Sequence, residues 1–373
     1  MRAVVLHHPG RAVGVEEVEL DPPKAHEVLV RVAAAGVCHS DLLLADGELG
    51  EGRWPMVLGH EGAGVVEAVG DGVDHVVPGD HVAFCFVPAC RSCRACRSGR
   101  PNLCEPAREN GFAGTLMDGT SRLHANGSPL QHALMTACFA EQAVVAAAGA
   151  VRIPSELPLW HAALLGCGVV TGIGAVRNAA RVAGGESVCV IGCGGVGLQV
   201  IAGARLAGAA PIVAVDRNPE KLELARSLGA TDTVDASAGD AVAAVHSLTD
   251  GGAQHAFEVV GRPETIRLAW DVIRSGGQVV VVGLVPHGVD VSVPGIELLS
   301  DKTLRGTYYG SGDAAVDLPE LAALALAGGL DLGGVVTHTT DLDGVEEALD
   351  RLRRGEGART VVIVDPELAK GAP

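Results

Sequence analysis

The stretch Ser187-Val188-Cys189-Val190-Ile191-Gly192-Cys193-Gly194-Gly195-Val196-Gly197 runs from a short apolar segment straight into a glycine-rich turn. Apolar residues without alternation predict a strand buried on both faces, and the G-x-G-x-x-G behind it is the spacing that joins such a strand to a helix around a phosphate. Gly192 permits the tight turn, Gly194 lets the backbone approach a pyrophosphate, and Gly197 lets the helix pack closely. Gly195 and Val196 lie at the helix N-terminus, whose partial positive charge suits the same anion. Asp216 ends the next strand, nineteen residues after Gly197. Its carboxylate can accept both ribose hydroxyls of an adenosine and would repel a 2′-phosphate, which favours NAD over NADP, although Arg217 beside it works the other way.

Outward from this unit the pattern repeats. Pro211 to Val215, Phe257 to Val260 and Gln278 to Val282 read as further buried parallel strands, with helices over Pro219 to Leu228 and Pro263 to Arg274. That βαβ series predicts a doubly wound parallel sheet. Upstream the character differs: residues 1 to about 35 alternate apolar and polar positions, as in Glu27-Val28-Leu29-Val30-Arg31-Val32, and Gly64 to Gly70 and His81 to Phe84 read as more half-buried strands. Arg97 to Gln131, rich in Gly, Pro, Asn, Ser and Asp, reads as an ordered loop excursion. After Tyr309 come helices over Pro319 to Ala327 and Asp343 to Arg353 and a strand over Thr360 to Val364, assigned to the first domain because the βαβ count is already complete. The α/β chain is thus expected to divide into residues 1–168 with 309–373, and residues 169–308.

A chain of 373 residues is long enough for two cores. Its 45 acidic against 28 basic residues give a formal charge of −17, which repels nucleic-acid phosphates and anionic membrane surfaces. Apolar runs such as Ala143 to Val151 and Gln278 to Val282 are too short for a membrane span, and Met1 to Leu6 does not read as a secretion signal. The expected location is the cytoplasm, where the ten cysteines should be reduced thiols or metal ligands.

Cys90, Cys93, Cys96 and Cys104 have the spacing of a closed, structural zinc site, which leaves no position open for chemistry. Three further candidates are scattered: Cys38 in Gly36-Val37-Cys38-His39-Ser40-Asp41, His60 in Gly59-His60-Glu61-Gly62, and Cys167 in Leu165-Gly166-Cys167-Gly168. Spacing does not join them, and taken singly each also suits a packing role. Together they would leave a fourth position on zinc open for water or an alcohol.

These segments, together with Gly59 to Gly64, the four-cysteine lobe and Gly192 to Gly197, resemble the zinc-containing alcohol dehydrogenases of the medium-chain dehydrogenase/reductase family, over nearly the whole chain from Val28 to Val364. The resemblance implies a GroES-like, mainly-β catalytic domain plus a Rossmann domain, two zinc ions per chain, NAD, and reversible hydride transfer between a primary alcohol or aldehyde and NAD. It implies that Cys38, His60 and Cys167 hold the catalytic zinc, that Glu61 behind it can transiently ligate, and that Asp41 accepts the ring N–H of His60. Ser40 would hydrogen-bond the substrate hydroxyl. Thr171 and Val282 would border the nicotinamide, Tyr309 would also bind the cofactor, His39 and Arg359 would face the pyrophosphate, and Lys221 would assist Asp216 at the ribose; His39 and Lys221 equally suit a solvated surface. Cys85, Cys138, Cys189 and Cys193 remain as packing residues.

Leu43 stands where many relatives end their proton relay with a histidine, so the hydroxyl proton needs another base or water. Relatives acting on formaldehyde–thiol adducts also lack that relay. Arg108 and Glu51 match places where those enzymes hold the thiol's charges, but Leu49 stands where an acid is expected. Phe86, Leu49, Leu134 and Leu284 fall at pocket-lining places and suit a medium-sized primary alcohol or aldehyde, aromatic ones included. The thiol-dependent enzyme (mycothiol or glutathione type) and a nicotinoprotein with tightly held NAD are the alternatives. A non-enzymatic zinc-stabilised binding protein is disfavoured by the intact ligand set. The insertion from Gly111 to Gln131 resembles that of dimeric members, so a homodimer is expected, joined through residues about 290 to 308, where Val291-Ser292-Val293 alternates like an edge strand.

Overall fold

The computed structural model describes residues 1–49 and 54–372, in two compact units: Met1–Val170 with Gly312–Pro373, and Thr171–Ser311. The first unit is organised on one long strand, Glu27–Val37, whose Val28, Val30 and Val32 side chains all enter the core, as the two-residue period of a strand requires. It pairs antiparallel with Glu61–Val69 along one edge. Along the other edge its first half pairs with Gln142–Ala146 and its last residues, Ala34 to Val37, with Arg359–Ile363. His81–Phe84, Ala150–Arg152 and Val336–Thr340 complete this seven-stranded sheet. Leu58, Phe84, Phe139, Val145 and Val362 fill the core with the three valines. A second sheet of six short strands, among them Arg2–Leu6, Leu123–Ala125 and Ser128–His132, buries Ala3, Val5, Leu123 and Leu130.

The other unit is a six-stranded sheet, parallel at every pairing, in the spatial order Asp232–Asp235, Ile212–Asp216, Val188–Ile191, Ala253–Glu258, Ile273–Val281, Thr303–Gly306. This is the Rossmann order, and the direction of winding reverses between Val188–Ile191 and Ala253–Glu258. Helices Gly195–Leu206, Pro219–Leu228, Ala241–Leu248 and Pro263–Val272 connect the strands.

Three expectations are corrected. Arg97 to Gln131 contains a helix, Glu105–Ala113, and a hairpin of Leu123–Ala125 with Ser128–His132. Its turn residues cap and join these elements: Gly114 ends the helix at φ 72°, and Asn126-Gly127, at φ 51° and 75°, form the hairpin turn. The helix expected from Pro319 begins earlier and runs Ala314–Leu326, because the Asp313 side chain accepts from the Ala315 N–H at 3.2 Å and starts it. Val291 to Val293 is not a strand; Val293 packs on the core, and the sheet edge is Thr303–Gly306. Among the described residues one helical segment, Leu159–Ala180, of 22 residues, is long and apolar enough to cross a membrane, and its most apolar stretch is 89% buried inside the protein.

One polar cluster is sealed into the first unit. Arg122 is wholly buried and bonds Glu27 at 2.5 and 2.9 Å and Asp118 at 2.7 Å, and its own N–H donates to Nε2 of the buried His132 at 3.2 Å. Burial first, and then the Arg122 charge, push His132 down to about 3. In the unfolded chain the same imidazole protonates near its ordinary value of about 6.5. The folded pKa is therefore the lower one, so the stability it represents is full above about 6.5 and is lost as pH falls toward 3. In urea unfolding between pH 4 and 6.5, His132→Gln is expected to show a shallower fall than the parent, by up to about 1.4 kcal/mol per pH unit. Parallel curves would show that His132 is not buried neutral.

Candidate active site

Cys38 follows the last residue of strand Glu27–Val37 and caps the helix His39–Asp46. Asp41, fully buried in the first turn of that helix, accepts the Cys38 N–H at 3.0 Å through one oxygen and faces His60 Nδ1 at 3.0 Å through the other. A carboxylate can only accept, so Nδ1 carries a proton, and in the neutral ring that a metal requires Nε2 holds the lone pair. That Nε2 is buried and has no hydrogen-bond partner. Cys167, in the buried helical segment Leu165–Val169, places its Sγ 3.8 Å from Cys38 Sγ. The three donor atoms lie within 4.8 Å of one another. Two thiol sulfurs in contact with each other and an imidazole nitrogen converging on one point are a donor set that fits one zinc ion with a coordination position to spare. The bond from Cys167 holds the Cys38 thiol well below its ordinary range despite burial, while the same contact pushes Cys167 up. Phe86 meets the His60 ring edge-on, with centroids 5.3 Å apart.

Glu61 is fully buried but is not one of the converging donors. One oxygen accepts the Gly168 N–H at 3.0 Å, and both face Arg359 Nη2, at 2.6 and 2.5 Å. Burial lifts Glu61 to about 7 against the opposing pull of Arg359. Arg359 was expected against a pyrophosphate; instead it is buried, with its guanidinium on Glu61 and on the Val37 carbonyl at 3.0 Å. Glycines make the room: a Cβ at Gly168 would stand 2.2 Å from Arg359 Nη2, and one at Gly36 would stand 2.8 Å from Glu61 Oε2.

The Sγ atoms of Cys90, Cys93, Cys96 and Cys104 form the second convergent group. Backbone N–H groups already point at three of the sulfurs: Cys90 to Cys104 at 3.3 Å, Cys93 to Cys90 at 3.3 Å and Cys96 to Cys93 at 3.5 Å. Such bonds favour thiolates, the form zinc requires. Arg91 inside the lobe is tied to Asp313 in a two-pronged ion pair.

In the Rossmann unit Gly192 takes φ 97°, Gly194 caps the helix Gly195–Leu206, and a Cβ at Gly197 would collide with the Gly192 carbonyl at 1.8 Å. A Cβ at Gly194 would meet nothing within 4 Å, so this side of the turn is open as a phosphate cradle requires. Asp216 accepts the Cys193 N–H at 2.7 Å and the Asn218 N–H at 2.9 Å, which anchors it at the end of its strand. Gly195, Val196, Lys221, Thr171 and Val282 are all partly exposed, and Tyr309 is buried. The sequence reading missed Glu258, whose signal was a lone charge inside the apolar run Phe257-Glu258-Val259-Val260.

Residues 24–155 match the family described as alcohol dehydrogenase GroES-like domain, and residues 195–327 match zinc-binding dehydrogenase. An S-(hydroxymethyl)glutathione dehydrogenase of Escherichia coli O1:K1 / APEC is 41% identical over 97% of this chain and 99% of its own length. The chain belongs to the zinc-containing alcohol dehydrogenases of the medium-chain dehydrogenase/reductase family. Among solved members, benzyl alcohol dehydrogenase from Acinetobacter calcoaceticus is 32% identical, with TM-score 0.92 over 98% of this chain and 99% of that one. A zinc-binding dehydrogenase from Sinorhizobium meliloti 1021, bound to NADP, is 27% identical, with TM-score 0.80 over 97% of this chain and 98% of that one.

This family member is accordingly an oxidoreductase that uses zinc and a nicotinamide dinucleotide. Near Cys38, Leu43 is buried, Ser40 and Leu49 are partly exposed, and His39 is exposed. Arg108 is exposed on the helix Glu105–Ala113, and Glu51 lies outside the described residues. Cys38 and the glycine turn belong to different units, so a change at one should spare the other. Cys38→Ser is expected to lower turnover at least about a thousandfold, as loss of a metal ligand does, and to leave NADH affinity within a few-fold. Metal analysis should show the parent's two zinc ions per chain reduced toward one, and full turnover in the variant would remove Cys38 from the ligand set.

Proposed function

We propose that this enzyme interconverts primary alcohols and aldehydes with NAD as the hydride acceptor and donor, its substrate oxygen bound at the Cys38, His60 and Cys167 site. The observation that carries the proposal is the bare, buried Nε2 of His60 beside two thiols, with an aromatic ring, Phe86, packed at the same histidine. Zinc in that site supplies Lewis acidity, which makes an alcohol ionise near neutral pH. Asp41 keeps Nε2 of His60 available by holding the proton on Nδ1. Ser40, whose Oγ lies 3.8 Å from Cys38 Sγ, orients the substrate hydroxyl and receives its proton. Leu43 cannot relay that proton, so water takes it. Glu61 stays paired with Arg359 as a second carboxylate that can move toward the metal. On the cofactor side, Asp216 selects NAD over NADP, with Lys221 beside the ribose. The turn from Gly192 through Gly195 and Val196 to Gly197 takes the pyrophosphate with His39, while Thr171, Val282 and Tyr309 border the nicotinamide. The two compact units serve as the catalytic and cofactor domains. A cytoplasmic location suits a chain whose two sites both need reduced thiols.

The thiol-adduct reading is supported by the missing relay at Leu43, by Arg108 and Glu51 at matching places, and by the name borne by the relative of 41% identity. Leu49 weighs against it. The readings separate in one experiment: assay a denatured extract for bound nicotinamide, alongside NADH formation from benzyl alcohol, hexanol, and formaldehyde with and without thiols. Turnover of the plain alcohols by cofactor-free protein is the expected result. Activity only with a thiol would replace the proposal with the adduct enzyme, and stoichiometric bound cofactor without turnover of added NAD would replace it with a nicotinoprotein.

The proposal extends to a homodimer. Strand Thr303–Gly306 is exposed along its length at the edge of the parallel sheet, and Ile296, Leu298 and Leu299 are exposed at 74%, 51% and 82% in the segment before it. A bare sheet edge beside an apolar patch suits pairing with a second copy. Gel filtration with light scattering should give twice the mass of the 37.9 kDa chain, and a monomer or tetramer mass would refute this.

A further inference from the structure

Glu258 ends strand Ala253–Glu258, at the carboxyl end of the parallel sheet and next to the place where its winding reverses. It is 0% exposed. Three donors converge on a single carboxylate oxygen, Oε1: the Val260 N–H at 2.9 Å, the Gly261 N–H at 2.7 Å and the Thr265 hydroxyl at 2.7 Å. The other oxygen, Oε2, is buried with no partner. Among the described residues no Lys, Arg or His side chain bonds to this carboxylate, so its charge is met only by dipoles. Burying a carboxylate with one oxygen left without a partner is costly, so its place in the fold calls for a reason.

The surroundings show where the charge is felt. The Glu258 carbonyl accepts the Val282 N–H at 2.8 Å and the Gly283 N–H at 3.0 Å. The turn that Glu258 holds, Val259 to Gly261, is pressed against the dinucleotide turn: a Cβ at Gly192 would stand 2.6 Å from Val260 and 3.3 Å from the Val259 carbonyl. It is pressed as closely against the next strand end, because a Cβ at Gly261 would stand 2.1 Å from the Leu284 carbonyl. Glu258 therefore lies beneath the three strand-end turns that surround the cofactor crevice, and is directly bonded to Val282.

The two redox forms of the cofactor differ in one respect that a buried charge can read, since the oxidised nicotinamide ring carries a positive charge and the reduced ring carries none. We propose that Glu258 biases the crevice electrostatically toward oxidised cofactor, strengthening NAD⁺ binding relative to NADH. This rests on the reading that places Val282 beside the nicotinamide. The carboxylate does not touch the ring; it acts across the Val282 backbone, as a positioning residue whose charge sets the preference. At an effective dielectric of about 20, unit charges roughly 12 Å apart change an equilibrium by about tenfold.

The test is titration of the zinc-loaded enzyme with NAD⁺ and NADH separately, by calorimetry or by quenching of tryptophan fluorescence. Glu258→Gln keeps an oxygen for the three donors and removes the charge. It is expected to weaken NAD⁺ about tenfold and NADH less than twofold, which raises the potential of the bound cofactor by about 30 mV for a two-electron couple. Thr265→Val, which takes one bond from the carboxylate and leaves its charge, serves where the glutamine variant does not fold, and should keep or increase the preference for NAD⁺. Equal weakening of both forms by Glu258→Gln would overturn the inference, as would loss of the preference in Thr265→Val, and would leave Glu258 as a brace for its turn. Failure of the parent itself to bind either form would instead remove the dinucleotide reading of Gly192 to Gly197.

Discussion

Two hydrogen bonds to one buried carboxylate set the chemistry of the first unit. Asp41 takes the Cys38 N–H with one oxygen and the His60 Nδ1–H with the other, so a single side chain fixes where a helix starts and which nitrogen of an imidazole is bare. The first bond orients Cys38 as it leaves the strand. The second makes His60 a donor of electrons rather than of a proton. Burial contributes as much as geometry, because in water the imidazole would exchange tautomers and the thiols would be solvated.

A second buried charge pair stands behind the first. Glu61 and Arg359 are both removed from water, and leaving either alone would cost about 3–5 kcal/mol. Their bonds run to the backbone of both flanking ligand segments: Arg359 to the Val37 carbonyl, one residue before Cys38, and Glu61 to the Gly168 N–H, one residue after Cys167. The ion pair thus braces two of the three metal-facing side chains by their neighbours in the chain. Gly36 and Gly168 are required because any Cβ there would occupy the space of the charged groups.

Local patterns were legible in the sequence and long-range ones were not. The glycine turn, the buried parallel strands and the four-cysteine lobe are each written within a short window, where period, spacing and turn chemistry act together. Cys38, His60 and Cys167 lie 22 and 107 residues apart along the chain, and only family resemblance joined them before the structure did. The partner of Arg359 could not be read at all, since Glu61 is almost 300 residues away. The errors were of one kind. Asn126-Gly127 and Gly114 read as loop by composition, although the same residues close a hairpin and end a helix. Val291 to Val293 alternates like a strand, but nothing in three residues states whether a neighbour is there to pair with them.

The pairing of Glu27–Val37 also bears on the order in which the protein can assemble. Ala34 to Val37, the residues that deliver Cys38 to its place, find their partner only in Arg359–Ile363, near the end of the chain. During synthesis the whole Rossmann unit is made in between, and it can fold on its own local βαβ contacts while the earlier sheet waits with part of one edge bare. Glu61 waits with it, a buried acid whose counter-charge has yet to leave the ribosome. The metal-facing cluster is therefore the last part of its unit to close, and a nascent or truncated chain would carry a finished nucleotide fold beside an unfinished ligand set.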